Sequence, residues 1–120
     1  MKKGYYFGTT VDGKWWKRYR KEGFFARGNG EYRLEEKCFR FRKDVSDATL
    51  DIPYDRIIGI EVGRWHAGRW GGGSPVVRIE WSKEGKILSS GFLLAGNVKE
   101  FRNIVERLRA AVSVSDTTEK

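Results

Sequence analysis

From Tyr5 to Leu94, apolar side chains return mostly at every second position. A period of two is the mark of a strand with one face buried. It is cleanest in Cys38-Phe39-Arg40-Phe41-Arg42, where Phe39 and Phe41 face one way and Arg40 and Arg42 the other. The run Val77, Ile79, Trp81 alternates with Arg78, Glu80, Ser82 in the same way, and Ile58, Ile60, Val62 with Gly59, Glu61, Gly63. Leu88, Phe92 and Leu94 share a face in the segment 87–94. Shorter runs with strand composition are Tyr5–Val11, Lys14–Tyr19, Gly23–Arg27 and Thr49–Ile52, the last stopped by Pro53, which cannot donate to a ladder.

The punctuation agrees with this pattern. Asp12-Gly13 lies between two β-prone runs, and a type I′ turn needs positive φ at both central residues, so residues 5–20 are expected to form a hairpin. Lys83-Glu84-Gly85-Lys86 is expected to close another. Gly28-Asn29-Gly30 reads as a turn, Glu31–Glu36 as either strand or helical turn, and Asp44–Asp47 as a polar turn. Residues 64–74 form the longest loop expected. After Asn97 the rhythm changes: Val98, Phe101, Val105, Leu108 and Val112 lie three or four apart, an apolar stripe on a helix, with Asn97 and Glu100 placed as a capping pair. Residues 113–120 are polar and are expected to form a disordered tail.

A curved layer of antiparallel strands followed by one amphipathic helix resembles the PH-like superfamily, in particular its GRAM and bacterial PH-like branch. The likeness rests on Leu50-Asp51-Ile52-Pro53-Tyr54-Asp55-Arg56-Ile57-Ile58-Gly59-Ile60-Glu61-Val62, then Ile79-Glu80-Trp81, Gly91-Phe92-Leu93-Leu94 and the helix near Asn97. It covers about half the chain. It implies a mainly β (α+β) fold: an antiparallel barrel or strongly bent sheet capped by one C-terminal α-helix, spanning residues 1–112 as a single domain. It also implies a scaffold whose loops bind phosphoinositides, peptides or partner subunits. A fold shared by so many proteins does not by itself fix function.

Composition narrows the chemistry. A chain of 120 residues suits one domain with its own core. One cysteine, Cys38, can form no internal bridge and no paired-cysteine zinc site. No apolar run approaches the ~20 residues needed to span a bilayer. Met1-Lys2-Lys3-Gly4 opens like a signal peptide, but no apolar segment develops after it, so cytoplasmic residence, with peripheral membrane contact as an option, is the expectation. Cys38 and the one histidine, His66, lack a third group to orient them as a nucleophilic pair. Glu61 and Glu80 suit cross-strand pairing with arginine better than acid–base work. Gly71-Gly72-Gly73-Ser74 lacks the Lys-Ser/Thr ending of a phosphate loop and leads into a strand. No catalytic residue, metal site or cofactor is therefore expected.

Charge placement gives the positive signal. Residues 1–43 hold 13 Lys+Arg and 5 Asp+Glu, 13 − 5 = +8, whereas residues 44–120 hold 11 of each. Such a local field attracts anions. Its densest part is Lys14-Trp15-Trp16-Lys17-Arg18-Tyr19-Arg20-Lys21, with five cations, three aromatics and no acid. Cations neutralise phosphates, and rings stack on bases or sit among headgroups. A second constellation is Arg64-Trp65-His66-Ala67-Gly68-Arg69-Trp70, where Trp and Arg are of the types that dominate interfaces. The plain structural alternative is that these rings pack on the sheet or cover its edge. The expected ligand-binding set is Lys14, Trp16, Lys17, Arg18, Arg20, Lys21, Arg64, Trp65, Arg69 and Trp70. The expected function is a non-enzymatic docking module for an anionic partner: first phospholipid headgroups, with an acidic protein surface as another form. A self-associating structural domain forming a homo-oligomer is the alternative, and single-stranded nucleic acid ranks behind both.

Overall fold

The computed structural model describes residues 2–12, 14–19, 28–44, 49–63, 65–66, 69–70, 76–94 and 98–118. Strands β1 (Lys2–Val11), β2 (Lys14–Arg18), β3 (Gly28–Leu34), β4 (Cys38–Lys43) and β5 (Thr49–Pro53) are followed by a 3-10 turn, Tyr54–Arg56. Then come β6 (Ile57–Gly63), the two-residue strands β7 (Trp65–His66) and β8 (Arg69–Trp70), β9 (Val76–Lys83), β10 (Lys86–Leu93) and helix α1 (Val98–Thr118). The main sheet runs β5-β4-β3-β1-β10-β9-β6, with β2 beside β1. Every pairing is antiparallel. The sheet does not close on itself: β5 and β6 are its two ends. The expected fold, a strongly bent antiparallel sheet capped by one C-terminal helix, is the fold observed among the described residues.

The core follows from the alternation. Leu50, Ile52, Phe39, Phe41, Val77, Ile79, Trp81, Leu88 and Phe92 are all buried. The Phe92 ring sits among those of Tyr6 (centroids 5.3 Å apart), Phe39 (4.9 Å, edge-on) and Phe41 (5.4 Å), which joins the two arms of the bent sheet. On α1, Phe101, Ile104, Val105 and Leu108 are buried, and the helix packs against the 3-10 turn and β6. The stripe thus covers the seam where the sheet fails to close. Arg109 Nη2 donates to the Ile60 carbonyl, 3.3 Å away, so the helix also covers part of the outer edge of β6.

Three expectations change. Gly28-Asn29-Gly30 is the start of β3, not a turn. Glycine is needed at 30 for proximity: a Cβ there would lie 2.6 and 2.9 Å from two carbons of the Phe41 ring and against the Arg42 carbonyl. In β6, Ile57 is buried and Ile58 is 60% exposed. Pairing slips between Ile57↔Trp81 and Gly59↔Glu80, so Ile58 is the extra residue of a bulge and leaves the inward phase. The helix runs past Val112 to Thr118 instead of giving way to a tail at residue 113. Residues 113–118, Ser-Val-Ser-Asp-Thr-Thr, are weak helix formers, so it is the hydrogen-bond ladder propagated from the turns before them that carries the helix beyond its apolar stripe. The strand expected at 23–27, the turn at 45–47 and the cap at Asn97 lie outside the described residues.

Candidate functional site

Two tight turns lie side by side at one end of the sheet. In the first, Val11 pairs with Lys14 across Asp12-Gly13, and Asp12 has φ +52°. Asp tolerates this left-handed region better than most residues. In the second, Lys83 pairs with Lys86 across Glu84 (φ +51°) and Gly85 (φ +78°). The turns are clipped together: the Asp12 N–H donates to the Ile87 carbonyl at 2.7 Å, and the Ile87 N–H donates to Asp12 Oδ1 at 3.2 Å. Lys14 and Lys86 are exposed here. Lys43 at the end of β4 lies away from these turns: it pairs with Gly30, which pairs with Gly4, seven residues along β1 from Val11, and the Asp44 N–H donates to the Asn29 carbonyl. Lys43 is buried with its ammonium 5.8 Å from the centre of the Tyr6 ring, and burial holds it below the usual lysine range.

Strand β2 continues this end outwards. It pairs with β1 at Val11↔Lys14 and Thr10↔Arg18, so residues 15–17 stand against a single step of β1. The ladder resumes with the Tyr19 N–H donating to the Thr9 carbonyl at 2.9 Å. Tyr19 is buried, a packing residue of this segment. Lys14 and Arg18 are thereby tied to β1, with Trp16 and Lys17 in the bulged stretch between them; the side chains of Trp16, Lys17 and Arg18, and Arg20 and Lys21 entirely, lie outside the described residues.

The second constellation is elsewhere. Trp65 pairs with Trp70 and His66 with Arg69 in a two-stranded ribbon, β7–β8. Arg64 and the side chains of Trp65, Arg69 and Trp70 lie outside the described residues. The ribbon lies between Gly63 and Val76, which pair at the start of β9. The hairpin is in register with the far end of β9, through Val11↔Leu88 and Leu88↔Trp81. Five residues separate Trp81 from Val76, about 17 Å of strand. The backbone register therefore puts the two groups at opposite ends of the sheet rather than in one patch.

Charge neutralisation is just as uneven. On the outer face of β3–β5, Arg42 pairs with Glu31 (2.6 Å), Arg33 and Arg40 with Glu35 (3.5 and 3.6 Å), and Arg40 with both oxygens of Asp51 (2.8 and 3.2 Å). Two of the five acids in residues 1–43 are thus engaged with arginines of β3 and β4. The segment 14–21 contains no acid of its own. That acid-free run of cations begins on the hairpin, at Lys14, Lys17 and Arg18 of β2.

Other chemistry gains little. Cys38 is a free, half-buried thiol, pushed up first by burial, and a protonated thiol is a poor nucleophile. Arg78 pairs with Glu61, as the sequence suggested. Glu80 shares a hydrogen bond with Glu61, so the two carboxyls diverge: Arg78 holds Glu61 below the usual carboxylate range, and burial with the neighbouring Glu61 pushes Glu80 up. Among the described residues no cluster of three or more His, Cys, Asp or Glu could hold a metal. No described helix is long and apolar enough to cross a membrane.

Sequence reasoning missed Lys43, Lys83 and Lys86. Lys43 was legible: it continues the Phe39, Phe41 phase and so had to point inward. It also missed a buried polar chain, in which Tyr6 Oη and Thr9 Oγ1 are 2.5 Å apart, Thr9 Oγ1 and Ser90 Oγ 2.7 Å apart, and Trp81 Nε1 donates to Ser90 Oγ at 3.1 Å. A family model described as bacterial PH domain-like matches residues 1–109. No curated protein and no solved structure matches the chain.

Proposed function

The chain belongs to the bacterial PH domain-like family, whose members serve in general as binding or docking modules, and from that premise we propose that it docks onto an anionic surface through the hairpin end of its sheet. The preferred partner is the phospholipid headgroups of a membrane. Lys14, Lys17, Arg18, Arg20 and Lys21 supply charge, joined by Lys83 and Lys86 of the neighbouring turn, and Trp16 supplies apolar contact. The single observation that carries the reading is that the acid-free basic segment starts on β2, paired with β1 at Lys14 and Arg18, while Glu31 and Glu35 are spent on β3–β4 arginines. Each cation held near an anionic surface contributes about 1 kcal/mol, so five act together where one would not. Arg64, Trp65, Arg69 and Trp70 leave this contact set because of their register; the β7–β8 ribbon remains available to a protein partner.

The test is co-sedimentation of the full chain with vesicles at physiological salt. Recovery with vesicles containing anionic lipid and little recovery with neutral vesicles is the expected result. Equal recovery with both removes the lipid reading. A steep loss of single-stranded DNA binding with added salt, without any vesicle binding, would move the assignment to nucleic acid.

A further inference from the structure

The two ends of the sheet are treated differently. The outer edge of β6 meets the helix, and Arg109 occupies its Ile60 carbonyl. Strand β5 is hydrogen-bonded to β4 on one side, and among the described residues no strand lies on the other. Alternate residues of an edge strand present N–H and C=O groups outwards, and these groups want partners. A cleft of about 500 Å³ opens there, between Asp51 and Pro53 of β5 and the Trp81–Gly85 stretch of β9 and its turn, with Arg56 among the lining residues. It exists because β6 covers β9 only as far as Trp81, and the chain before Ile57 is drawn aside. Tyr54 fixes that detour: its N–H donates to the Lys37 carbonyl (3.0 Å) and its hydroxyl to the Glu35 carbonyl (2.7 Å).

We propose that this cleft takes an extended peptide bearing an acidic side chain, added as a strand to the edge of β5 with its carboxylate on Arg56. The backbone edge supplies main-chain hydrogen bonds, the usual source of affinity in strand addition. The polarity follows from which charges are already spent. Both carboxylate oxygens of Asp51 are held by Arg40. Arg56 makes no ion pair among the described residues, and its guanidinium suits a carboxylate bidentately. Glu84, exposed at the turn, repels a second acid and so sets the acidic residue towards Arg56. Pro53 ends the edge, which limits the added strand to the few residues opposite Thr49–Ile52. The proposal does not rest on the lipid reading: Lys83 borders both surfaces, but the peptide's carboxylate is held by Arg56 and its backbone by β5, neither of which belongs to the hairpin contact set.

The probe is a blocked heptapeptide, acetyl-Thr-Val-Glu-Val-Thr-Val-Thr-amide, titrated to about 1 mM into the full 15N-labelled chain. Its lysine counterpart and a form N-methylated at alternate positions serve as comparisons. The expected result is amide shifts at Thr49–Ile52 and Ser82, weakened about fivefold or more by the N-methyl groups and by Arg56→Glu. Arg56→Glu should transfer preference to the lysine peptide and leave vesicle recovery unchanged. Absence of shifts in those amides overturns the proposal, as does equal response to the glutamate and lysine peptides. Displacement of the same amides by soluble inositol bisphosphate alone would make the cleft a headgroup site instead.

Discussion

At the scale of single residues, small groups set close approaches that larger ones cannot share. Gly30 lets β3 and β4 meet over the Phe41 ring. Gly30→Ala is expected to lower the unfolding free energy by about 1–3 kcal/mol in urea titration, the usual cost of overpacking a filled site. Ser90 joins two hydrogen bonds in the buried chain from Tyr6 to Trp81. Ser90→Ala leaves the indole N–H without that acceptor, a loss of about 1–3 kcal/mol. Retention of full stability by Ser90→Ala would mean that the chain contributes nothing. Glu80 gives a prediction about pH. Its folded carboxyl sits above the usual range, so folding favours its protonated form. That contribution is present at low pH and disappears as pH rises from the unfolded value, about 4.3, through the raised folded one. Glu61, held low by Arg78, contributes in the opposite sense: its share is present above the unfolded value and is lost as pH falls through the lowered one. Glu80→Gln removes the first effect. The variant should match or exceed the parent in urea resistance at pH 7, and its advantage should shrink at pH 4; an advantage that grows on acidification contradicts this account.

At the scale of elements, what the sequence disclosed was whatever depends on local periodicity. The alternation through Phe39 and Phe41, the Asp12-Gly13 turn and the stripe Phe101, Val105, Leu108 each carry their reason within a few residues. What escaped depends on partners distant in the chain. Gly28-Asn29-Gly30 has turn composition, yet Gly30 answers to Phe41 across the ladder. Ile58 has the phase of Ile60, yet a bulge against β9 turns it out. The candidate site divides in the same way. Its charges could be counted from the sequence, whereas the separation of the hairpin from the β7–β8 ribbon needed the register of β1, β10, β9 and β6. The helix is the element on which closure of the seam depends. Leu108 is fully buried, and Leu108→Ala is expected to cost about 2–5 kcal/mol and to lower Tm, with a helical circular-dichroism signal retained below the transition.

For the molecule as a whole, opposite ends of one sheet have been given different characters. Arginines and acids satisfy each other over β3–β5, and the proposed docking surface is the hairpin end, where Lys14 and Lys86 are exposed. Binding through such an end depends on ionic strength, because exposed charges are screened within about 8 Å at physiological salt. Raising salt should therefore weaken vesicle binding while leaving the fold intact, which intrinsic fluorescence can follow on the same samples. The most direct measurement compares the two ends in one assay: co-sedimentation with anionic vesicles of the parent chain, of Lys14→Glu/Lys17→Glu/Arg18→Glu, and of Arg64→Glu/Arg69→Glu. The account predicts that the hairpin variant stays in the supernatant while the ribbon variant pellets with the vesicles as the parent does. Pelleting of the hairpin variant at parental levels would contradict it.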